Sequence, residues 1–309
     1  MKKMKLSLVT LLISIISYGQ RTETVFLNEK DSTSTMYVAL FPKGEVINSY
    51  MILLDGFGNS PNSVLSQTEI PKLASKNGIL TIMPVLKTGS TYWGSDAASQ
   101  ESLKEIIEFI VPKYGLKDKD FYIGGFSIGG TCAVKYAELS VQENYIFKPK
   151  AIFAINPILD WERYYNGAKR VVRLSDTAKV NEEVFYMISR IEKEMGGTPE
   201  TALKNYHAQS PYSFSDTTQK AIKNLIKIPI MLISEPDIQW YLKERNYDCS
   251  YNNIIDQVAM INELQRLGNK NAILITTTNK GYRMPNKVRH PNSWSIADPK
   301  QIIKWLQTF

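Results

Sequence analysis

Residues 121–138 read FYIGGFSIGGTCAVKYAE. An apolar run meets Gly125-Phe126-Ser127-Ile128-Gly129, and a segment of helix-forming spacing follows. Gly-x-Ser-x-Gly carries chemistry only where a strand turns sharply into a helix. There the serine hydroxyl is exposed at the tip of a strained turn. Gly125 and Gly129 flank it because a Cβ at either place would meet neighbouring backbone. The backbone N–H of Ile128, at the start of the helix, points to where an oxyanion would form. The competing reading is an ordinary packing turn, and the surrounding chain decides between them.

The rest of the sequence repeats the strand-then-helix rhythm. Short continuous apolar runs at 50–58, 79–85, 151–156, 228–234 and 272–278 join the run before Ser127 to make six buried strands. Between them, NSVLSQTEIPKLASKNG and residues 101–114 carry helical periodicity, as do residues 254–264. Pro112 is expected to distort the last turn of its helix. Asp298-Pro299 reads as N-cap and first helical residue of a final helix. Two alternating stretches near Thr24–Leu27 and Met36–Phe41 predict an antiparallel pair at the start. The fold class is therefore α/β, a mostly parallel sheet flanked by helices. Residues 158–227 break the rhythm between the fourth and fifth core strands. So long a segment inside a compact domain is usually structured, and it is read as a cap insertion.

Composition excludes several functions. The chain has 309 residues, 43% hydrophobic and 22% charged, with a formal charge of +7. Lys2, Lys3 and Lys5 contribute to that charge within the first five residues, and the other basic residues are scattered. No basic stripe interleaved with aromatics suggests nucleic acid. MKKMK followed by LSLVTLLISII and SYGQ reads as a signal peptide over residues 1–19, with the mature domain at 20–309. A secreted or periplasmic location follows, without stable membrane insertion, because the apolar run is short for a span. Cys132 and Cys249 could pair in an exported protein, though Cys132 also reads as a small buried hydrophobe. With only His207 and His290 and no ligand spacing, neither a metal nor a cofactor is expected.

A nucleophilic serine needs a base and an orienting carboxylate. His290, in VRHPNSWS, falls in a loop after the last strand, at the sheet edge where Ser127 lies. His207 belongs to the insertion and reads as a packed or exposed histidine, with a substrate contact as the alternative. SEPD, after the strand at 228–234, offers Asp237, preferred for its place in the turn, and Glu235 as the alternative. Asp248 and Asp256 are remoter candidates, and Asp256 reads as a helix-surface charge. Tyr92, Trp93, Trp161, Tyr164, Tyr165, Trp240, Tyr241 and Trp294 gather near the same loops. Trp93, Trp240 and Trp294 are the candidate substrate-binding aromatics, suited to a sugar ring, an aryl ester or an acyl chain.

GGFSIGG, SEPD and RHPNSW, in the order Ser, Asp, His, resemble the α/β-hydrolase superfamily from about residue 33 onward. The resemblance implies a serine hydrolase acting on small-molecule esters through an acyl-enzyme, with Ser127, Asp237 and His290 as catalytic residues. It also implies an oxyanion loop at LLDGFGNS, where the N–H of Phe57 partners that of Ile128. Many members carry His-Gly at this spot, and this chain has Asp55-Gly56. A serine peptidase or acyltransferase on the same fold is the alternative, followed by a non-catalytic binding protein. Oligomeric state is not legible.

Overall fold

The computed structural model describes residues 20–27, 35–44, 46–175 and 180–309. The expected signal segment, 1–19, lies outside the described residues. Eight strands form one sheet: β1 (Thr22–Phe26), β2 (Met36–Leu40), β3 (Ser49–Leu54), β4 (Ile79–Val85), β5 (Asp120–Phe126), β6 (Ala151–Ile155), β7 (Ile230–Ser234) and β8 (Ala272–Thr276). Their spatial order is β1-β2-β4-β3-β5-β6-β7-β8. The β1–β2 and β2–β4 pairings are antiparallel, and every other pairing is parallel. This is the α/β architecture expected from the sequence.

The continuous apolar strands are explained by burial on both faces. In β3 all six residues are buried. Tyr50, Ile52 and Leu54 join one core, Met51 and Leu53 the other, as a period of two requires. The first core is closed by α3 (Ala97–Tyr114), α4 (Ile128–Gln142) and α10 (Ile254–Arg266). The second is closed by α1 (Pro61–Gln67), α2 (Ile70–Lys76) and α11 (Pro299–Leu306). The single helix expected over NSVLSQTEIPKLASKNG is two helices. Pro71 lies in the first turn of α2, where its missing N–H costs nothing but the preceding chain cannot stay helical. Pro112, in contrast, is retained inside α3.

The segment between β6 and β7 contains α5 (Trp161–Leu174), α6 (Glu182–Met195), α7 (Pro199–Gln209) and α8 (Lys220–Lys223). A buried ion pair anchors its start. Asp256 on α10 is fully buried, where a helix-surface charge was expected. It accepts from the N–H groups of Leu159 and Asp160 at 3.2 Å and pairs with Arg163 at 2.5 Å. After β7 come α9 (Ile238–Trp240) and a π-helical turn, Tyr241–Arg245. After β8 comes a two-stranded hairpin, β9 (Tyr282–Arg283) with β10 (Val288–Arg289). Gln67 of α1 clamps this hairpin, donating to the Met284 carbonyl at 2.5 Å and accepting from its N–H at 2.9 Å. Cys132 is buried and Cys249 exposed, and both are free thiols. Among the described residues no helix is long and apolar enough to cross a membrane.

Candidate active site

Ser127 sits between the end of β5 and the start of α4 with φ 52° and ψ −121°. A non-glycine residue there stores on the order of 1–3 kcal/mol of strain, which the surrounding backbone must hold. The Ser127 N–H donates to the Ile155 carbonyl at 2.8 Å, and its own carbonyl accepts from Thr131 at 3.0 Å. The flanking glycines are required by proximity. A Cβ on Gly125 would stand 2.4 Å from the Gly129 carbonyl carbon, and one on Gly129 2.4 Å from the Leu54 carbonyl oxygen. The turn is therefore the strained strand-to-helix elbow that the motif implies.

Two residues with unbonded backbone N–H groups line the same space. The N–H of Ile128 opens α4 and that of Phe57 follows β3, and neither bonds to another described residue. Asp55, which stands where the resemblance leads to an expectation of His, holds the Phe57 loop. Its Oδ1 accepts from the Gly56 N–H at 2.7 Å and from Trp294 Nε1 at 3.0 Å. Tyr92 donates its hydroxyl to the Asp55 carbonyl at 2.5 Å. Burial pushes the Asp55 carboxyl above its ordinary value.

His290 lies in the loop after β10, 9% exposed. Its backbone N–H donates to the Gly281 carbonyl at 3.0 Å. Its ring lies against Trp240, with centroids 4.8 Å apart. Nδ1 accepts from the Asn292 N–H at 3.1 Å, and Nε2 is 3.2 Å from an Arg245 nitrogen. Burial, then the charges of Arg283 and Arg245, push the imidazole down to about 3, so it is neutral over the ordinary pH range.

The two carboxylates after β7 stand behind this loop. Glu235 is buried, not the solvated charge it could have been. It accepts from Thr277 Oγ1 at 3.0 Å and from the N–H groups of Lys280 and Gly281 at 2.8 and 3.1 Å. Asp237 caps α9 by accepting from the Trp240 N–H at 3.1 Å. Arg289 bridges both acids, reaching Glu235 at 2.6 Å and Asp237 at 2.5 Å. Ser127 and His290 therefore line one pocket, while Asp237 and Glu235 grip the histidine loop through Arg289. Among the described residues no hydrogen bond joins Ser127 to His290, or His290 to either acid.

The pocket is a cavity of about 240 Å³. Phe57, Ser127, Ile128 and His290 line it together with Tyr164, Tyr186, Met187, Tyr241, Tyr251, Arg245 and Arg283. Trp93 is a correction to the sequence reading. It is 1% exposed and stacks on Trp161 with centroids 4.0 Å apart, so it belongs to the core and cannot meet substrate. Trp240 backs the His290 ring. Trp294 is buried, tied to Asp55, and lines an adjoining cavity that also reaches Ser127. His207 lies elsewhere, its Nε2 2.7 Å from Ser215 Oγ. Sequence reading missed Tyr186, Arg245 and Arg283. None lies in a motif, and only the fold brings their three segments together.

No protein-family model matches the chain, and no curated protein matches it. Solved structures do. Carboxyl esterase 2 of the mycorrhizal fungus Tuber melanosporum is 16% identical with a TM-score of 0.60, over 94% of this chain and 86% of that one. The S-formylglutathione hydrolase of Agrobacterium tumefaciens is 12% identical with a TM-score of 0.56, over 94% and 96%. The acylaminoacyl peptidase of Pyrococcus horikoshii is 14% identical with a TM-score of 0.59, over 94% of this chain but 41% of its own. The chain has the α/β-hydrolase fold.

Proposed function

We propose that the chain is a serine hydrolase that cleaves carboxylic esters through an acyl-enzyme. The observation that carries this reading is the strained Ser127 elbow opening into a pocket shared with His290 and the free N–H groups of Phe57 and Ile128. A packing turn would need neither the backbone strain nor two unpaired donors on residues lining one cavity.

In the mechanism, Ser127 Oγ attacks the ester carbonyl while His290 Nε2 takes its proton. The oxygen of the tetrahedral intermediate is held by the Phe57 and Ile128 N–H groups. His290 then gives the proton to the leaving alcohol, and water repeats the sequence against the acyl-enzyme. For this, Nε2 must carry the lone pair and Nδ1 the hydrogen. The Asn292 contact favours the opposite tautomer. A carboxylate at Nδ1 selects the working one, and we assign that role to Asp237. Its present partner is Arg289, so the mechanism requires that ion pair to open as substrate is engaged.

The test is labelling of the mature protein with a fluorophosphonate probe. Wild type is expected to label and Ser127→Ala is not. Turnover of aryl, acetyl, longer acyl and carbohydrate-linked esters should fall by about 10⁴–10⁶ in Ser127→Ala or His290→Ala. Asp237→Asn should cripple turnover more than Glu235→Gln. A folded wild type that neither labels nor turns over any of these esters refutes the reading.

A further inference from the structure

Two guanidinium groups enter the Ser127 pocket from separate elements. Arg245 ends the π-helical turn after α9, and Arg283 lies on β9. Of the seven other described arginines, Arg21, Arg163, Arg170, Arg190 and Arg289 form ion pairs with carboxylates, and Arg173 and Arg266 lie exposed on helices outside the pocket. Arg245 and Arg283 pair with no described carboxylate. Among the described residues lining the pocket, the one acid is Glu183, exposed on α6, which acts on Arg283 at a distance without forming an ion pair. Arg283 is exposed on its strand and reaches the Asn292 carbonyl at 3.4 Å; partial desolvation and the nearby charge of Arg245 lower its guanidinium, and the charge of Glu183 partly offsets this.

The contacts that Arg245 does make are poor ones. It lies 5.8 Å from the Trp240 ring centroid, and its nitrogen faces His290 Nε2 at 3.2 Å. A neutral imidazole has one acceptor nitrogen, and Nδ1 is already turned to the Asn292 N–H. One of the two contacts therefore sets a donor against a donor. Arg245 also occupies the nitrogen that must receive the Ser127 proton.

We propose that Arg245 and Arg283 form a subsite for an anionic oxygen group, a carboxylate or a phosphate, carried by the substrate next to its scissile ester. This rests on the serine hydrolase reading for the ester, but not for the anion. Planar guanidinium forks match carboxylate and phosphate oxygens. The anion supplies a directly bonded counter-charge, which neither arginine has among the described residues. It also draws Arg245 away from His290 Nε2, so the correct substrate frees the base that acts on it. Gln67 braces Arg283 for this through its two hydrogen bonds to Met284.

The test uses the full mature chain carrying Ser127→Ala, titrated calorimetrically with succinate, inorganic phosphate and uncharged succinamide. At least one anion is expected to bind with a millimolar or tighter constant, and succinamide is not. Preference for succinate or phosphate identifies the anionic group. Adding Arg245→Gln or Arg283→Gln should each weaken binding by about tenfold to a hundredfold, and Arg245→Lys should restore part of it. Circular dichroism establishes that each variant is folded. Equal binding of succinamide, no binding of either anion, or anion binding unchanged in both glutamine variants overturns the proposal. Fluorophosphonate labelling of wild type is scored separately. Labelling without anion binding sinks the anionic subsite alone, and anion binding without labelling sinks the hydrolase reading alone.

Discussion

One imidazole should contribute a loss of stability on acidification. His290 is held neutral in the folded chain, its value lowered from 6.5 to about 3 by burial and by Arg283 and Arg245. In the unfolded chain it titrates near 6.5. Between these two values the unfolded state binds a proton that the folded state does not. Stability therefore rises with pH across the window and falls as pH drops through it. Each unit below about 6.5 costs roughly 1.4 kcal/mol from His290, so this residue should contribute a loss of about 2 kcal/mol at about pH 5 relative to about pH 7. His290→Gln removes this contribution. Asp160 and Glu138, whose buried carboxyls are raised to about 7, change stability with the opposite sign, but they are common to both proteins and cancel in the difference. The assay is urea unfolding of wild type and His290→Gln at the two pH values. Because the sequence has only two histidines, NMR titration of the imidazoles gives a direct second readout. One resonance set should stay in its neutral position down to about pH 4. If His290 instead titrates near 6.5, or the pH-dependent change in stability is the same in wild type and variant, the electrostatic account of this pocket is wrong.

Three further outcomes follow from packing and pairing. Gly129→Ala would drive a Cβ to 2.4 Å from the Leu54 carbonyl, so it should cost about 1–3 kcal/mol in thermal unfolding and abolish probe labelling. Trp294→Phe keeps the aromatic packing but leaves buried Asp55 without its indole donor. It should cost about 1–3 kcal/mol, and kcat should fall more than KM rises as the Phe57 loop loosens. Arg163→Met strands the buried Asp256 carboxylate and should cost about 3–5 kcal/mol in chemical denaturation, while the double variant with Asp256→Leu recovers much of the loss.

What could be read from the sequence was what local pattern encodes. β3 and β6 are legible because both their faces are buried, which leaves only apolar residues in the run. The Ser127 elbow is legible because close backbone approach restricts both flanking positions to glycine. Long-range pairing left no such trace. Asp256 sits at ordinary helical spacing, and its partner Arg163 is 93 positions away. Turn position favours Asp237 over Glu235 as the partner of His290, yet nothing in the sequence shows that Arg289, one residue before that histidine, takes both. Trp93 misled because an aromatic just beyond a strand has the same sequence signature whether it faces the core or the rim. The pocket itself is built from tyrosines and arginines on separate segments, each unremarkable alone.

The hydrogen bond from Trp294 to Asp55 spans 239 positions of chain. It ties the turn after β3 to the loop that carries His290, and Gln67 ties α1 to the neighbouring hairpin in the same manner. Anyone who recombined this protein with a distant relative would meet that bond as a constraint on where to cut. A chimera taking one of the two turns from a parent with His-Gly at 55–56 and the other from this chain would face an indole donor with the wrong acceptor. The two turns would have to be exchanged as a set, although most of the chain separates the codons that specify them.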